Sequence, residues 1–390
     1  MTDSMSRRSF LGTGLVLLTG VGAAVSGCAT EESPQREVRS LPDPMVTEDY
    51  VVYQDLAYAA PVGEGHLLDL YMPHDATWSV PVVIHQLGSA FRSDDSKGEA
   101  LAAEAPPAPP VPPPPADPAL PDAPIAPAEL SGMVGPREIA RKWVRHGYAV
   151  VGLNVRNSSQ TKFPGQLHDV KAAIRFLRAN AGAYGLDSTR FAIMGSSSGA
   201  WVATMAALTA DIPEFEGDLG NPGWSSAVRA VIDLYGPTDF LAMDSHALPG
   251  EATHDAADSP ESELMGFPIQ SDPAAVAAAN PARYVHADSP PAYIVHGAAD
   301  PYVPVNQSEI LFDAYMRAGG TASLTVVPGV GHTDAYLDSP GHSEGRTVRA
   351  TANGVTTTSD GPAPTFHSLL EFLDTNLRVD RPVGGSGTPG

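Results

Sequence analysis

The sequence predicts an α/β fold class: a mostly parallel central sheet with helices on both faces and a small cap. Three observations predict it. The chain has 390 residues and is 43% hydrophobic, enough to bury a sizeable core. Across 48–378, short apolar runs alternate with stretches of helical spacing, which calls for a parallel sheet covered on both sides. One strand-to-helix junction carries Gly195-Ser196-Ser197-Ser198-Gly199, which fits G-x-S-x-G.

The chain opens on residues that read as an export signal. Ser6-Arg7-Arg8-Ser9-Phe10-Leu11 is a twin-arginine pattern, followed by a modestly apolar stretch to Gly27. Gly12, Gly14, Gly20 and Gly22 make that stretch a poor permanent membrane helix. It ends in Val25-Ser26-Gly27-Cys28, which resembles the lipobox of bacterial lipoproteins, and Cys28 is the sole cysteine. A lipidated Cys28, a flexible tether over 29–47 and a globular part outside the cytoplasm are the expectation. One cysteine allows no intrachain disulfide and no cysteine-based metal site.

Two strand-like runs follow, "DYVVYQDLAYA" and "HLLDLYMP", expected as a hairpin, and then "VPVVIHQL" (80–87) as a buried strand. Residues 105–128 hold 12 of the 38 prolines and should form an extended, exposed insertion. Helical spacing resumes over 137–147 and stops at Gly147. A strand over 148–155 leads to a helix over 166–185, with Val170, Ile174, Leu177 and Ala181 on one side. The strand 190–195 and the helix 197–210 flank the serine motif. Strands over 228–236, 291–297 and 323–329 follow, with a helix over 305–320 between the last two. The segment 240–290 is expected to form the cap. Residues 338–362, polar and rich in Gly, Ser and Thr, read as a loop insertion, and 379–390 as a flexible tail.

On this plan Ser197 sits on a tight turn off the carboxyl edge of the sheet, beside a helix N-terminus. Serine is a weak nucleophile until a base takes its proton, and that base must be oriented by an acid. Asp300 lies just beyond the strand 291–297, and His332 just beyond the strand 323–329, so both are expected at the same edge. A lone Asp in a loop is usually a turn former, and the chain has 12 histidines. His296 is a rival base, but it precedes the acid. His85 lies inside a strand and His168 starts a helix, so both read as structural. Asp233 and Asp239 are rival acids. An oxyanion hole is expected from the backbone N–H of Ser198 and from Gly88, Ser89 and Ala90 in the loop after the 80–87 strand.

With those residues placed, the chain resembles an α/β-hydrolase esterase. It is most similar to the hormone-sensitive-lipase-like group and its feruloyl/acetyl-xylan esterase-like branch. The stretches "AFRSDDSK", "FPGQLHDVKAAIRFLRANAGAYGLDSTRFAIMGSSSGAWVA", "EGDLGNPGWSSAVRAVIDLYGPTDF", "HGAADPYVPVNQSEILFDA" and "GVGHTDAY" carry the resemblance. It implies Ser197 as nucleophile, Asp300 as acid and His332 as base. The family usually has H-G-G-(A or G)-(F or W) in the oxyanion loop, where this chain has Leu87-Gly88-Ser89-Ala90-Phe91. Ala200 stands where a second glycine is usual after the nucleophile.

Formal charge is −22, and loss of residues 1–28 would leave 21 bases against 44 acids, net −23. Such a body repels nucleic acid and anionic membrane surfaces, so membrane contact is expected only through the N-terminal lipid. The reading is a serine ester hydrolase acting on a small to medium ester, with no metal or cofactor. Two alternatives stay open: a serine peptidase or amidase of the prolyl-oligopeptidase-like type, and a non-catalytic surface-binding lipoprotein on the same fold.

Overall fold

The structure is a computed structural model that describes residues 41–74, 76–98, 132–210, 212–247 and 250–377. The signal segment with Cys28, residues 29–40 of the expected tether, the Pro-rich stretch 105–128 and the tail 379–390 lie outside the described residues. From Pro42 onward the described residues form one compact unit. Among the described residues no helix is long and apolar enough to cross a membrane.

Eleven described strands form a single sheet: β1 (Met45–Val46), β2 (Val51–Val62), β3 (Gly65–Met72), β4 (Val80–Gln86), β5 (Ala149–Leu153), β6 (Leu186–Ser196), β7 (Val231–Leu234), β8 (Ala292–Gly297), β9 (Ala322–Val327), β10 (Thr347–Ala352) and β11 (Val355–Ser359). Their order is β1-β2-β3-β5-β4-β6-β7-β8-β9-β10-β11. The six strands from β5 to β9 run parallel, and antiparallel pairs extend both sides. The central strands are buried on both faces, and their side chains alternate at period two. Val82, Ile84, Ile193 and Ile294 face one hydrophobic cluster, whereas Val83, Ala192, Met194 and Val295 face the other.

Helices α1 (Pro136–Trp143) and α5 (Phe366–Leu377) supply Ile139, Trp143, Leu369, Leu373 and Leu377 to the second cluster. Helices α2 (Gly165–Ala179), α3 (Ser198–Leu208) and α4 (Asn306–Ala318) supply Val170, Ile174, Trp201, Leu311 and Phe312 to the first. Every residue of α3 is buried, so this helix runs through the core rather than over it. Residues 240–284 form a string of short helical turns. They are tied to the rest by Arg92 to Glu263 (2.7 Å) and by Trp201 Nε1 to the Ala279 carbonyl (2.8 Å).

Three expectations need correction. The segment 338–362 is not simply a loop: β10 and β11 pair across Ala352↔Val355 and add two strands to the sheet. The turn is Asn353-Gly354, both at positive φ (51° and 76°), as a two-residue hairpin turn requires. That signal was legible beneath the loop-like composition. The expected helix 166–185 ends at Ala179, where the side chain of Asn180 donates to the Phe176 carbonyl at 2.8 Å; only a short turn, Ala181–Tyr184, follows. Finally, α5 is a helix that the sequence reading leaves unassigned.

Candidate active site

The turn from β6 into α3 is built by close backbone approach. A Cβ at Gly195 would run into the backbone of Gly199, and one at Gly199 into the carbonyl of Gln86. Both positions of the motif therefore demand glycine. Ser197 between them holds φ 55° and ψ −130°, a strained region for a residue with a side chain, and its N–H donates to the Leu234 carbonyl at 2.9 Å. The side chain is thereby turned away from α3 toward the carboxyl edge of the sheet.

The structure brings Ser197, His332 and Asp300 together. His332 Nε2 lies 2.9 Å from Ser197 Oγ, and His332 Nδ1 lies 2.7 Å from Asp300 Oδ2. A carboxylate only accepts, so Nδ1 carries the proton and Nε2 presents a lone pair to the serine hydroxyl. Asp300 Oδ1 accepts the N–H groups of Tyr302 (2.9 Å) and Val303 (3.0 Å). Burial pushes the Asp300 carboxyl up. Electrostatic attraction to His332, which grows as that ring takes a proton, and the hydrogen bonds from His296 and His332 outweigh that and hold it well below the usual carboxylate range. Two tyrosine rings meet the His332 ring nearly edge-on: Tyr235 at 4.7 Å and Tyr302 at 5.3 Å between centroids. Tyr235 is itself held at φ 48° and is fully buried.

No described hydrogen bond joins a rival residue to Ser197. His296 Nε2 donates to the Val303 carbonyl at 2.9 Å and lies 3.4 Å from Asp300 Oδ2, so it abuts the acid and not the serine. His85 is buried without a partner, and burial pushes it down to about 3. His168 Nε2 faces the Glu214 carbonyl at 3.2 Å. Asp233 takes the Thr204 hydroxyl and the Gly236 N–H, each at 2.9 Å, and Asp239 caps the turn at Leu241. Among the described residues no group of three or more His, Cys, Asp or Glu is arranged to hold a metal ion.

The oxyanion-loop expectation is corrected in part. Gly88 lies against the serine: a Cβ there would stand 2.6 Å from Ser197 Cβ and 3.2 Å from its Oγ. Its N–H, however, faces Ser196 Oγ at 3.4 Å, and the N–H of Ser89 donates to Ser198 Oγ at 2.9 Å. Two of the four expected groups are thus engaged within the chain, because neighbouring hydroxyls out-compete an open pocket. Ser198 opens α3, where the first N–H groups have no intrahelical partner. No described hydrogen bond engages the N–H of Ser198 or of the exposed Ala90.

Sequence reasoning missed a layer behind His332. The Thr333 hydroxyl donates to the Gly132 carbonyl at 2.6 Å, and Val134 N–H donates to Asp334 Oδ1 at 2.7 Å. The loop bearing His332 is thereby fastened to residues 132–134, about 200 positions earlier, a pairing with no local signal.

Comparisons with known proteins bear on the fold and on the kind of protein the chain is similar to. The BD-FAE family model matches residues 131–315, a span that includes Ser197 and Asp300 and stops short of His332. The esterase LipQ of Mycobacterium tuberculosis is 33% identical over 188 residues, 47% of this chain and 42% of that protein. The chain spans less than half the length of the first curated relatives it matches. A truncated carbohydrate esterase from gut microbiota superposes with a TM-score of 0.64 at 27% identity, over 85% of this chain and 99% of that one. An inhibited esterase B of Lactobacillus rhamnosis superposes at 0.57 with 18% identity, over 86% and 90%, a likeness of fold alone. By its sheet order and these superpositions, the chain has the α/β-hydrolase fold, and over 131–315 it is similar to esterases built on it.

Proposed function

We propose that this protein is a serine carboxylic-ester hydrolase working through an acyl-enzyme on a small to medium ester. The observation that carries the reading is the hydrogen-bonded chain from Ser197 Oγ through His332 to Asp300. Ser197 Oγ attacks the ester carbonyl carbon while His332 Nε2 takes the hydroxyl proton. Asp300 holds the imidazole in the needed tautomer and stabilises the imidazolium. The carbonyl oxygen becomes an oxyanion that meets the N–H of Ser198 and of Ala90; one such donor contributes about 3 kcal/mol. Collapse expels the alcohol, which takes its proton from His332. Water then attacks the acyl-Ser197 carbonyl, its proton passing to Nε2 and on to Ser197 as the acid leaves. None of these steps calls for a cofactor.

The likeness to a carbohydrate esterase supports acylated sugars as the first substrate class to try. The test is hydrolysis of p-nitrophenyl esters from acetate to decanoate, and of acetylated and feruloylated sugars, by wild type and Ser197→Ala. Turnover that vanishes in the variant is expected. Full activity in Ser197→Ala would sink the mechanism.

We further read residues 1–28 as a twin-arginine lipoprotein signal, with lipid on Cys28 anchoring the domain to the outer face of the bacterial cytoplasmic membrane or elsewhere in the cell envelope. The order Arg7-Arg8, apolar stretch, Cys28 supports this. Cys28→Ser should release the protein from the membrane fraction; unchanged fractionation would count against the anchor.

A further inference from the structure

The loop after β4 departs most from the family that the chain resembles, and its backbone is strained. Ala90 and Phe91 stand at φ 51° and 60°, two consecutive left-handed residues, neither of them glycine. Such a conformation persists only where the surroundings over-determine it. The Phe91 ring packs on Trp201 at 5.3 Å and on Phe240 at 6.2 Å. Its carbonyl accepts from the Ser158 N–H at 2.8 Å and the Ser158 hydroxyl at 2.9 Å. Besides the bond from the Arg92 N–H to the Ser89 carbonyl at 3.0 Å, polar ties come from the turn that carries the nucleophile. Ser198 Oγ accepts the N–H of Ser89 at 2.9 Å and that of Phe91 at 3.4 Å. Ser89 and Phe91 flank Ala90, whose N–H is the loop donor left for the substrate oxygen.

We propose that the Ser198 side chain is the latch of the oxyanion loop, a positioning residue that holds the backbone on both sides of Ala90. The inference rests on the serine-hydrolase reading above. Ser198 then acts through two atoms. Its N–H faces the oxyanion, and its hydroxyl holds the 89–91 backbone so that the Ala90 N–H faces it too. Ser198→Ala removes the second role and leaves the first. The hydroxyl is 109 residues from Ser89 in sequence yet adjacent to Ser197, so one bond fixes both halves of the hole to each other.

The test uses the full chain as wild type, Ser198→Ala and Ser198→Thr. Each is assayed for kcat and KM on p-nitrophenyl butyrate, for the rate of fluorophosphonate labelling at Ser197, and for Tm. Ser198→Ala should lower kcat and the labelling rate about 10- to 100-fold, the scale of a displaced reacting group. KM should stay within about threefold, because the loss falls on the transition state. Ser198→Thr, which restores a hydroxyl, should recover most of both rates. Should the alanine variant fail to fold, Ser198→Cys supplies a similar size with a weak acceptor and the same expectation. Wild-type kinetics in Ser198→Ala, or equal loss in the alanine and threonine variants, would overturn the latch. A folded wild type that neither turns over esters nor is labelled overturns the serine-hydrolase reading itself, and the latch with it.

Discussion

Gly88 and Asp334 show at the residue scale how little room the site has. The space beside Ser197 admits no methyl at position 88, where a Cβ would also stand 2.6 Å from the Ser196 carbonyl. Gly88→Ala should leave the circular dichroism spectrum unchanged and lower kcat by about 100-fold, through displacement of Ser197. Asp334 is buried two residues after His332, and burial, only partly offset by hydrogen bonds from the Val134 N–H and from Tyr235, raises its carboxyl to about 6. Its folded value lies above the unfolded one, near 3.9. Between pH 4 and 6 the native state therefore holds more protons, and stability falls as pH rises through that window. Asp334→Asn keeps an acceptor for Val134 and removes the ionisation. Its Tm should exceed wild type at pH 7.5, by up to about 3 kcal/mol in stability, and the difference should be gone at pH 4. Ser197, Asp300 and His332 were legible because each follows a strand at one sheet edge. Which loop N–H groups stay free was not, because hydroxyls on the turn after β6 decide it.

Between the 240–284 turns and the loop bearing Asp300, a buried histidine adds to the backbone bond from the Ala252 N–H to the Pro301 carbonyl at 3.0 Å. His254 Nδ1 lies 2.9 Å from Glu261 Oε2, and its Nε2 lies 2.8 Å from the Tyr302 carbonyl. Both partners are acceptors, so both ring nitrogens must donate, and the ring is an imidazolium beside a carboxylate. Burial pushes His254 down, but the bond and charge of Glu261 and the Tyr302 carbonyl outweigh it, with Asp244 adding to the rise. A raised histidine contributes stability that is complete below its unfolded value, near 6.5, and is lost as pH climbs through the folded value. The Tm gap between wild type and His254→Asn should be widest near pH 6 and shrink toward pH 9; a gap constant with pH would refute the ion pair. Tyr302 also donates its N–H to Asp300, so kcat should fall in the same variant. The sequence marked this region as a cap through its position between strands, but the pairing of His254 with Glu261 follows only from how the turns stack.

Over the whole molecule, one face of the sheet depends for its cover on the last described helix. Leu369, Leu370, Leu373 and Leu377 of α5 are all buried in the cluster that also holds Trp143. The Trp143 indole donates to the Phe366 carbonyl at 3.2 Å, and the Tyr148 hydroxyl to Asp374 at 2.8 Å. Burying four leucines contributes about 6–12 kcal/mol, the size of an entire domain's stability. A chain stopped at residue 365 should therefore fail to fold, checked by soluble yield and circular dichroism. A truncated chain that folds and keeps the wild-type Tm would overturn this packing account.

The sequence by itself determined the α/β class, the order of the central strands' apolar runs and the three residues that meet at the sheet edge. These follow from local periodicity, from glycines that a tight turn demands, and from strand ends that a parallel sheet brings to one side. Only the tertiary structure decided that the Gly- and Thr-rich segment pairs onto β9, that Ser198 holds Ser89 and Phe91, and that Asp334 fastens the histidine loop to Val134. Each of those is a contact between residues far apart in the chain. Its energy comes from burial and from hydrogen bonds that exist only once the sheet has assembled.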